Sequence, residues 1–222
     1  MAQEKYTLNS ATISDCETYR YALVRVWDQS KPKVMFVMLN PSTADAHKDD
    51  PTIRRCVGFA KSWGYGGIIV CNLFPLRATD PKELLKHMKP HGIVNRITIY
   101  DLQKQVDKII CAWGNEPILK KLPEHKSVID TLDKSKLYFI DLSKNQVPKH
   151  PLYLKSDLIP TQYIYKSFLD SADVYDVAGN IAHEYMHKLG FGHEYKKTVD
   201  REESVPYAIG YWVESFLRNK FK

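Results

Sequence analysis

The sequence predicts an α/β fold, a three-layer, mostly parallel sheet of about four core strands with helices on both faces over residues 1–160, then a small helical segment over 161–222. Three observations predict it. Short apolar, β-favouring runs recur at residues 34–39, 68–74, 108–113 and 137–142. Stretches with helix-start signals and helical periodicity separate them, the alternation from which βαβ units are built. Two of the runs end in turn chemistry, Asn40-Pro41-Ser42-Thr43 and Gly114-Asn115, which gathers polar groups at one edge of the sheet.

The organising stretch is 34–77. VMFVML reads as a buried strand, and Pro41 forbids extending its hydrogen-bond ladder. Asp49 and Asp50 stand before Pro51, a capping residue followed by proline at the first helical position. Ile53, Val57, Phe59 and Ala60 supply the apolar face of that helix, and Gly64 falls where a C-cap belongs. The next strand covers 68–74. Ligands of such sheets bind at the carboxyl ends of the strands, so the candidate binding residues are Asn40, Ser42, Thr43, Asp45, Asn72 and Arg77, with Asn115 from a later strand end.

Before this unit, residues 18–27 alternate and are rich in β-formers, which predicts a flanking strand. After it, Thr79-Asp80-Pro81 starts a helix to about residue 88, and 95–105 is a second helix with Ile97, Tyr100 and Leu102 facing inward. A basic helical segment, 118–132, breaks near Pro123 and leads to the last strand. The junction between the two parts is expected at 160–165.

Apolar residues make up 44% of the 222, enough for a core, and no apolar run reaches membrane-spanning length. The first ten residues lack the apolar region of a signal peptide, and the four cysteines have no paired spacing. Both features predict a cytoplasmic chain with reduced thiols. Of 32 Lys and Arg and 26 Asp and Glu, residues 161–222 hold 8 and 9, leaving 24 against 17 in residues 1–160. The first part therefore favours a phosphate-bearing partner, a nucleotide or nucleic acid, through an attraction that salt would screen.

MLNPSTAD, DDPTIRRC, FAKSWGYGG, NLFPLRATDP, AWGN and HPLYL together resemble an uncharacterised bacterial and phage family, domain of unknown function 1643, over about residues 10–157. The plan is similar, more distantly, to the uracil-DNA glycosylase superfamily. That resemblance implies that Asn40 corresponds to a water-positioning asparagine, so a catalytic residue, and His150 to a late pocket histidine. The sequence departs from the superfamily pattern at Leu39, Ser42 and Leu152. Nucleobase or nucleotide binding is therefore expected ahead of glycosidic cleavage, because the missing glycines are what let backbone approach a ligand closely.

Residues 183–193 read HEYMHKLGFGH, the spacing HExxHxxGxxH. His183 and His187 lie four apart, on one face of a helix, and can grip one Zn2+. Gly190 permits the turn that returns His193 as third ligand. Glu184 is placed as a catalytic general base rather than a ligand. Residues 163–220 resemble the active-site segment of metzincin-like zinc metallopeptidases, but no methionine follows His193 and no substrate-binding sheet of that family precedes the motif.

Two functions stay open: a zinc hydrolase acting on a peptide, or a non-enzymatic nucleotide- or nucleic-acid-binding protein whose zinc segment is structural. Three imidazoles and a water make a complete shell, so the purified protein should carry about one zinc per chain. Elemental analysis after dialysis should show that His187→Ala loses most of the metal while Glu184→Gln keeps it. Equal zinc in the wild type and His187→Ala would refute the ligand set.

Overall fold

The computed structural model describes residues 6–87 and 92–164, within a compact unit that ends at Tyr165. Two antiparallel strands come first, β1 (Leu8–Ile13) and β2 (Arg20–Val26). β1 is an edge strand of exposed and half-buried residues. Backbone pairing holds it, so no apolar alternation in LNSATI announces it. β2 buries Arg20, Ala22, Leu23, Arg25 and Val26.

The apolar run then forms β3 (Lys33–Met38), and the chain passes through the loop 39–50 into α1 (Pro51–Ser62). Asp50 is the N-cap, its Oδ1 accepting the Ile53 N–H at 2.8 Å, and Pro51 occupies the first turn where its missing donor costs nothing. Ile53, Cys56, Val57, Phe59 and Ala60 are the buried stripe of α1. Gly64 ends the helix at φ 85°, a left-handed conformation that a side chain would oppose. β4 (Gly67–Asn72) follows and pairs parallel with β3 along its whole length, Lys33 opposite Gly67 through Met38 opposite Asn72.

Beyond β4 come α2 (Ile93–Leu102), β5 (Ile109–Cys111), α3 (His125–Thr131), β6 (Leu137–Phe139) and β7 (Thr161–Gln162). Among the described residues the sheet has seven strands in the order β1-β2-β4-β3-β5-β6-β7, mixed rather than the expected mostly parallel sheet of about four. β3 pairs parallel with β4 and β5, and β5 with β6, whereas the three outer pairings are antiparallel. Side chains alternate across it. Val34, Phe36 and Met38 face a core shared with α1, and Met35, Val37 and Leu39 face a second core shared with Ile99 of α2 and Val128 and Ile129 of α3.

Several expected elements differ. The helix from Pro81 is one short 3-10 turn, Pro81–Leu85, anchored by the buried Leu84. The basic segment divides at Pro123 into a 3-10 turn, Pro117–Lys120, and α3. α2 turns Asn95 and Ile99 inward, leaving Ile97 and Tyr100 54% and 53% exposed. The cause is Asn95, whose Nδ2 donates to Asn72 O at 2.9 Å and so takes a core position the apolar pattern assigns elsewhere. All four cysteines are free thiols, Cys16 exposed and Cys56, Cys71 and Cys111 buried. Among the described residues no helix is long and apolar enough to cross a membrane.

The turn into β4 has no slack. A Cβ on Gly66 would overlap the Asp28 carbonyl oxygen and approach Lys31 Cβ to 2.8 Å, whereas a Cβ on Gly58 in α1 would meet nothing within 4 Å. Gly66→Ala should therefore cost about 3 kcal/mol through overpacking. Gly58→Ala should gain about 0.5–1 kcal/mol of helix stability. Urea melts of the two variants check both signs.

Candidate functional site

The loop 39–50 is positioned from beneath by two arginines of β2, each 1% exposed. Arg25 Nε pairs with Asp49 Oδ1 at 2.9 Å, its Nη1 donates to Val24 O, its Nη2 donates to Asp45 O, and Tyr6 donates to Asp49 Oδ2 at 2.6 Å. Arg20 Nη1 donates to Ala44 O at 2.6 Å. Its Nε is buried with no partner among the described residues. Burial lowers the Arg20 guanidinium to about 10, with Asp50 pulling it back upward, so it is charged at neutral pH.

So held, the loop forms one wall of a cleft of about 440 Å³ at the carboxyl end of β3. Asn40 and Ser42 come from the loop, Asp50 and Thr52 from the start of α1, and Thr79 from the chain after β4. Trp113 and Glu116 follow β5, and His150 and Tyr153 close the far side. Arg20 lines the cleft as well.

Asn40 Nδ2 donates to Ala78 O at 2.7 Å and to Pro41 O at 3.1 Å, so its amide hydrogens staple two walls together. Oδ1 is the atom left for a ligand. His150 caps the 3-10 turn Pro151–Tyr153, its Nδ1 accepting the Leu152 N–H at 3.4 Å, which makes Nε2 the protonated nitrogen of the neutral ring. Gly114, at φ 79°, brings the end of β5 against this segment: its N–H donates to Pro148 O at 3.0 Å, and a Cβ there would lie 3.6 Å from His150 Cβ.

Of the residues singled out from the sequence, Asn40, Ser42 and His150 therefore share one cleft. The others stand elsewhere. Thr43 is exposed and is not among the lining residues. Asp45 Oδ1 accepts the N–H groups of His47 and Lys48, a local turn that also holds its carboxyl below the usual range. Arg77 braces the β1–β2 turn through Glu17 O at 3.1 Å. Asn72 is wholly buried, with both amide atoms unpartnered among the described residues, beside Met38 in the ladder. Asn115 lines a second hollow of about 550 Å³ with Lys120, His125, Lys126 and Tyr163, and Trp113 and Glu116 belong to both hollows.

Sequence reasoning missed Arg20 and Glu116. A strand arginine preceded by tyrosine carries no mark of inward orientation. His183, Glu184, His187 and His193 lie outside the described residues, and among the described residues no group of three or more His, Cys, Asp or Glu could hold a metal ion.

A family model described as a protein of unknown function (DUF1643) matches residues 20–152. No curated protein and no solved structure matches the chain.

Burial pushes the His150 ring down from its ordinary value, opposed by Asp50, and burial does the same to His125. A histidine lowered in the folded state binds fewer protons there than in the unfolded chain. Its contribution is thus present above the ordinary histidine value of about 6.5 and is lost as the pH falls through the folded value. Melting temperature should drop on acidification through that window. His150→Asn, whose Oδ1 can still accept the Leu152 N–H, should flatten the slope; an unchanged slope would show that His150 does not titrate with folding.

Proposed function

The chain belongs to the family of proteins of unknown function matched over residues 20–152, and from that premise we propose that its α/β domain binds a nucleobase-bearing ligand, a nucleoside, nucleotide or nucleic acid, in the strand-end cleft. The observation that carries the reading is the convergence of Asn40, Asp50, Glu116 and His150 on one cleft of about 440 Å³. That size suits a nucleoside. The chemistry suits one too: Asp50, Glu116 and Asn40 Oδ1 accept hydrogen bonds, and Ser42, Thr52, Thr79, Arg20 and His150 Nε2 donate them. Nucleobases and sugars present both kinds of group. Trp113 offers a flat apolar wall beside them.

The positive balance of residues 1–160 supports a phosphate-bearing form of the ligand. The second hollow, with Lys120 and Lys126 on its lining and Trp113 shared, supports a ligand longer than one nucleoside. A second reading, a zinc hydrolase, is favoured by the HExxHxxGxxH spacing of residues 183–193. The metal assay on His187→Ala tests its ligand set.

The cleft reading is tested on the full chain by thermal shift against nucleobases, nucleosides, nucleotides and short single-stranded oligonucleotides. A true ligand at a hundred times its Kd adds about 2.7 kcal/mol of stability, a rise of several degrees in Tm. Glu116 is exposed and its side chain makes no hydrogen bond or ion pair among the described residues. Glu116→Gln should therefore weaken binding while leaving the Tm of the free protein in place. No shift with any class at millimolar ligand would overturn the reading.

A further inference from the structure

We propose that the ligand of the strand-end cleft carries an oxyanion and that Arg20 is the side chain that receives it. The inference rests on the nucleobase-ligand reading above and adds the chemical form of that ligand. It begins from a contrast within one strand. Arg20 and Arg25 are equally buried, but Arg25 has a carboxylate at 2.9 Å, two carbonyl acceptors and the Tyr6 ring 5.7 Å from its guanidinium carbon. Among the described residues Arg20 has one carbonyl, Ala44 O, and no carboxylate within ion-pair distance, Asp50 acting on it only from farther off.

A buried guanidinium with one neutral acceptor is an expensive group to keep, because its charge is desolvated without a counter-charge in contact. Holding one carbonyl does not by itself call for a charge. The bond to Ala44 O calls for a donor, and β2 already holds the loop through Arg25. The position of Arg20 supplies the missing reason, since it forms part of the cleft wall. With one Nη1 hydrogen committed to Ala44 O and Nε sealed off, the Nη2 hydrogens and the second Nη1 hydrogen are left to meet a ligand.

A backbone donor at the start of α1 faces the same space. Thr52 and Ile53, in the first turn of the twelve-residue α1, line the cleft. Asp50 takes the Ile53 N–H, and Pro51 has none to give, which leaves the Thr52 N–H pointing out of the helix start. Asp50 and Glu116 also line the cleft and would repel an anion lying against them. The ligand must therefore be polarised: an oxyanion toward Arg20, and hydroxyl or N–H donors toward the two carboxylates. A nucleoside monophosphate has this pattern, and so does a pyrimidine bearing a carboxylate.

Titration calorimetry on the full chain separates these forms, using a nucleoside, its 5′-monophosphate, a pyrimidine carboxylate and orthophosphate. One charge-assisted hydrogen bond to an oxyanion should make an anionic form bind at least about tenfold tighter than the nucleoside. Arg20→Lys should shrink that advantage and Arg20→Met abolish it, with Tm recorded for both. If Arg20 only braces Ala44, both variants lose Tm and the preference for the anion persists, which overturns the inference. Should Arg20→Met not fold, Arg20→Lys decides: an undiminished preference for the anion overturns the inference. A nucleoside that binds as tightly as both anionic forms overturns the anion site and leaves the nucleobase reading standing. Orthophosphate binding that depends on Arg20, with no effect of nucleoside or nucleotide, supports the anion site and overturns the nucleobase reading. No binding by any of the four overturns both.

Discussion

Everything at the strand-end edge depends on two guanidinium groups buried under the loop between β3 and α1. Arg25 locks Asp49 and the Asp45 carbonyl, and Arg20 locks the Ala44 carbonyl, so three of the six residues 44–49 are tied to β2 before the helix begins. The helix start inherits that precision. Asp50 can cap α1 only if the chain arrives at one angle, and Arg54 then closes onto Asp49 O from the other side. Removing one member of a buried ion pair such as Arg25 and Asp49 costs about 3–5 kcal/mol, mostly through the charge left behind. A loop secured at that level is a wall rather than a flap, and Asn40, Ser42 and Thr52 acquire fixed positions as a consequence.

The opposite wall is built differently. The segment carrying His150 has no strand of its own at that point. It is pinned by the Leu142–Pro148 bridge, by the Gly114 N–H on Pro148 O, and by Lys149 Nζ on Asp141 Oδ2 at 2.7 Å. Arg55, stacked over Phe59 at 4.7 Å, reaches from α1 to the Leu154 carbonyl and ties the helix to the segment that follows the Pro151–Tyr153 turn. Thus α1 contributes to the site three times: its N-terminus faces the cleft, its apolar stripe fills one core, and one of its arginines anchors that segment.

Much of this was legible in the sequence where physics leaves a local mark. β3, the Asp50 cap, Pro51 and the Gly64 stop are written in residues whose conformational preferences admit few alternatives. What escaped has a common cause: a polar side chain doing an apolar residue's work. Arg20 and Arg25 sit where alternation allows either face, and only the distant Ala44 and Asp49 decide for the inside. Asn95 is wholly buried because two carbonyls at the end of β4 need a donor, and its presence rotates the inferred face of α2. β1 escaped for the converse reason, since an edge strand can be held by its backbone alone.

The same distinction divides the polar residues proposed for the site. Strand-end asparagines are ambiguous in sequence because one amide can satisfy backbone or meet a ligand. Asn72 went inward, and its neighbour Asn95 satisfies the backbone carbonyls there. Asn40 does both jobs at once. Its Nδ2 bridges to Ala78 O, joining the loop after β3 to the chain after β4, and its residue still borders the cleft. A turn former and a ligand residue are therefore not rival descriptions of Asn40. The donor half of its amide holds the two loops at the spacing that makes a cleft, and the acceptor half is oriented by that commitment. Such pre-setting removes the choice between the two amide orientations before any ligand arrives, which is how a small polar side chain can contribute to selectivity without extra ordering cost on binding.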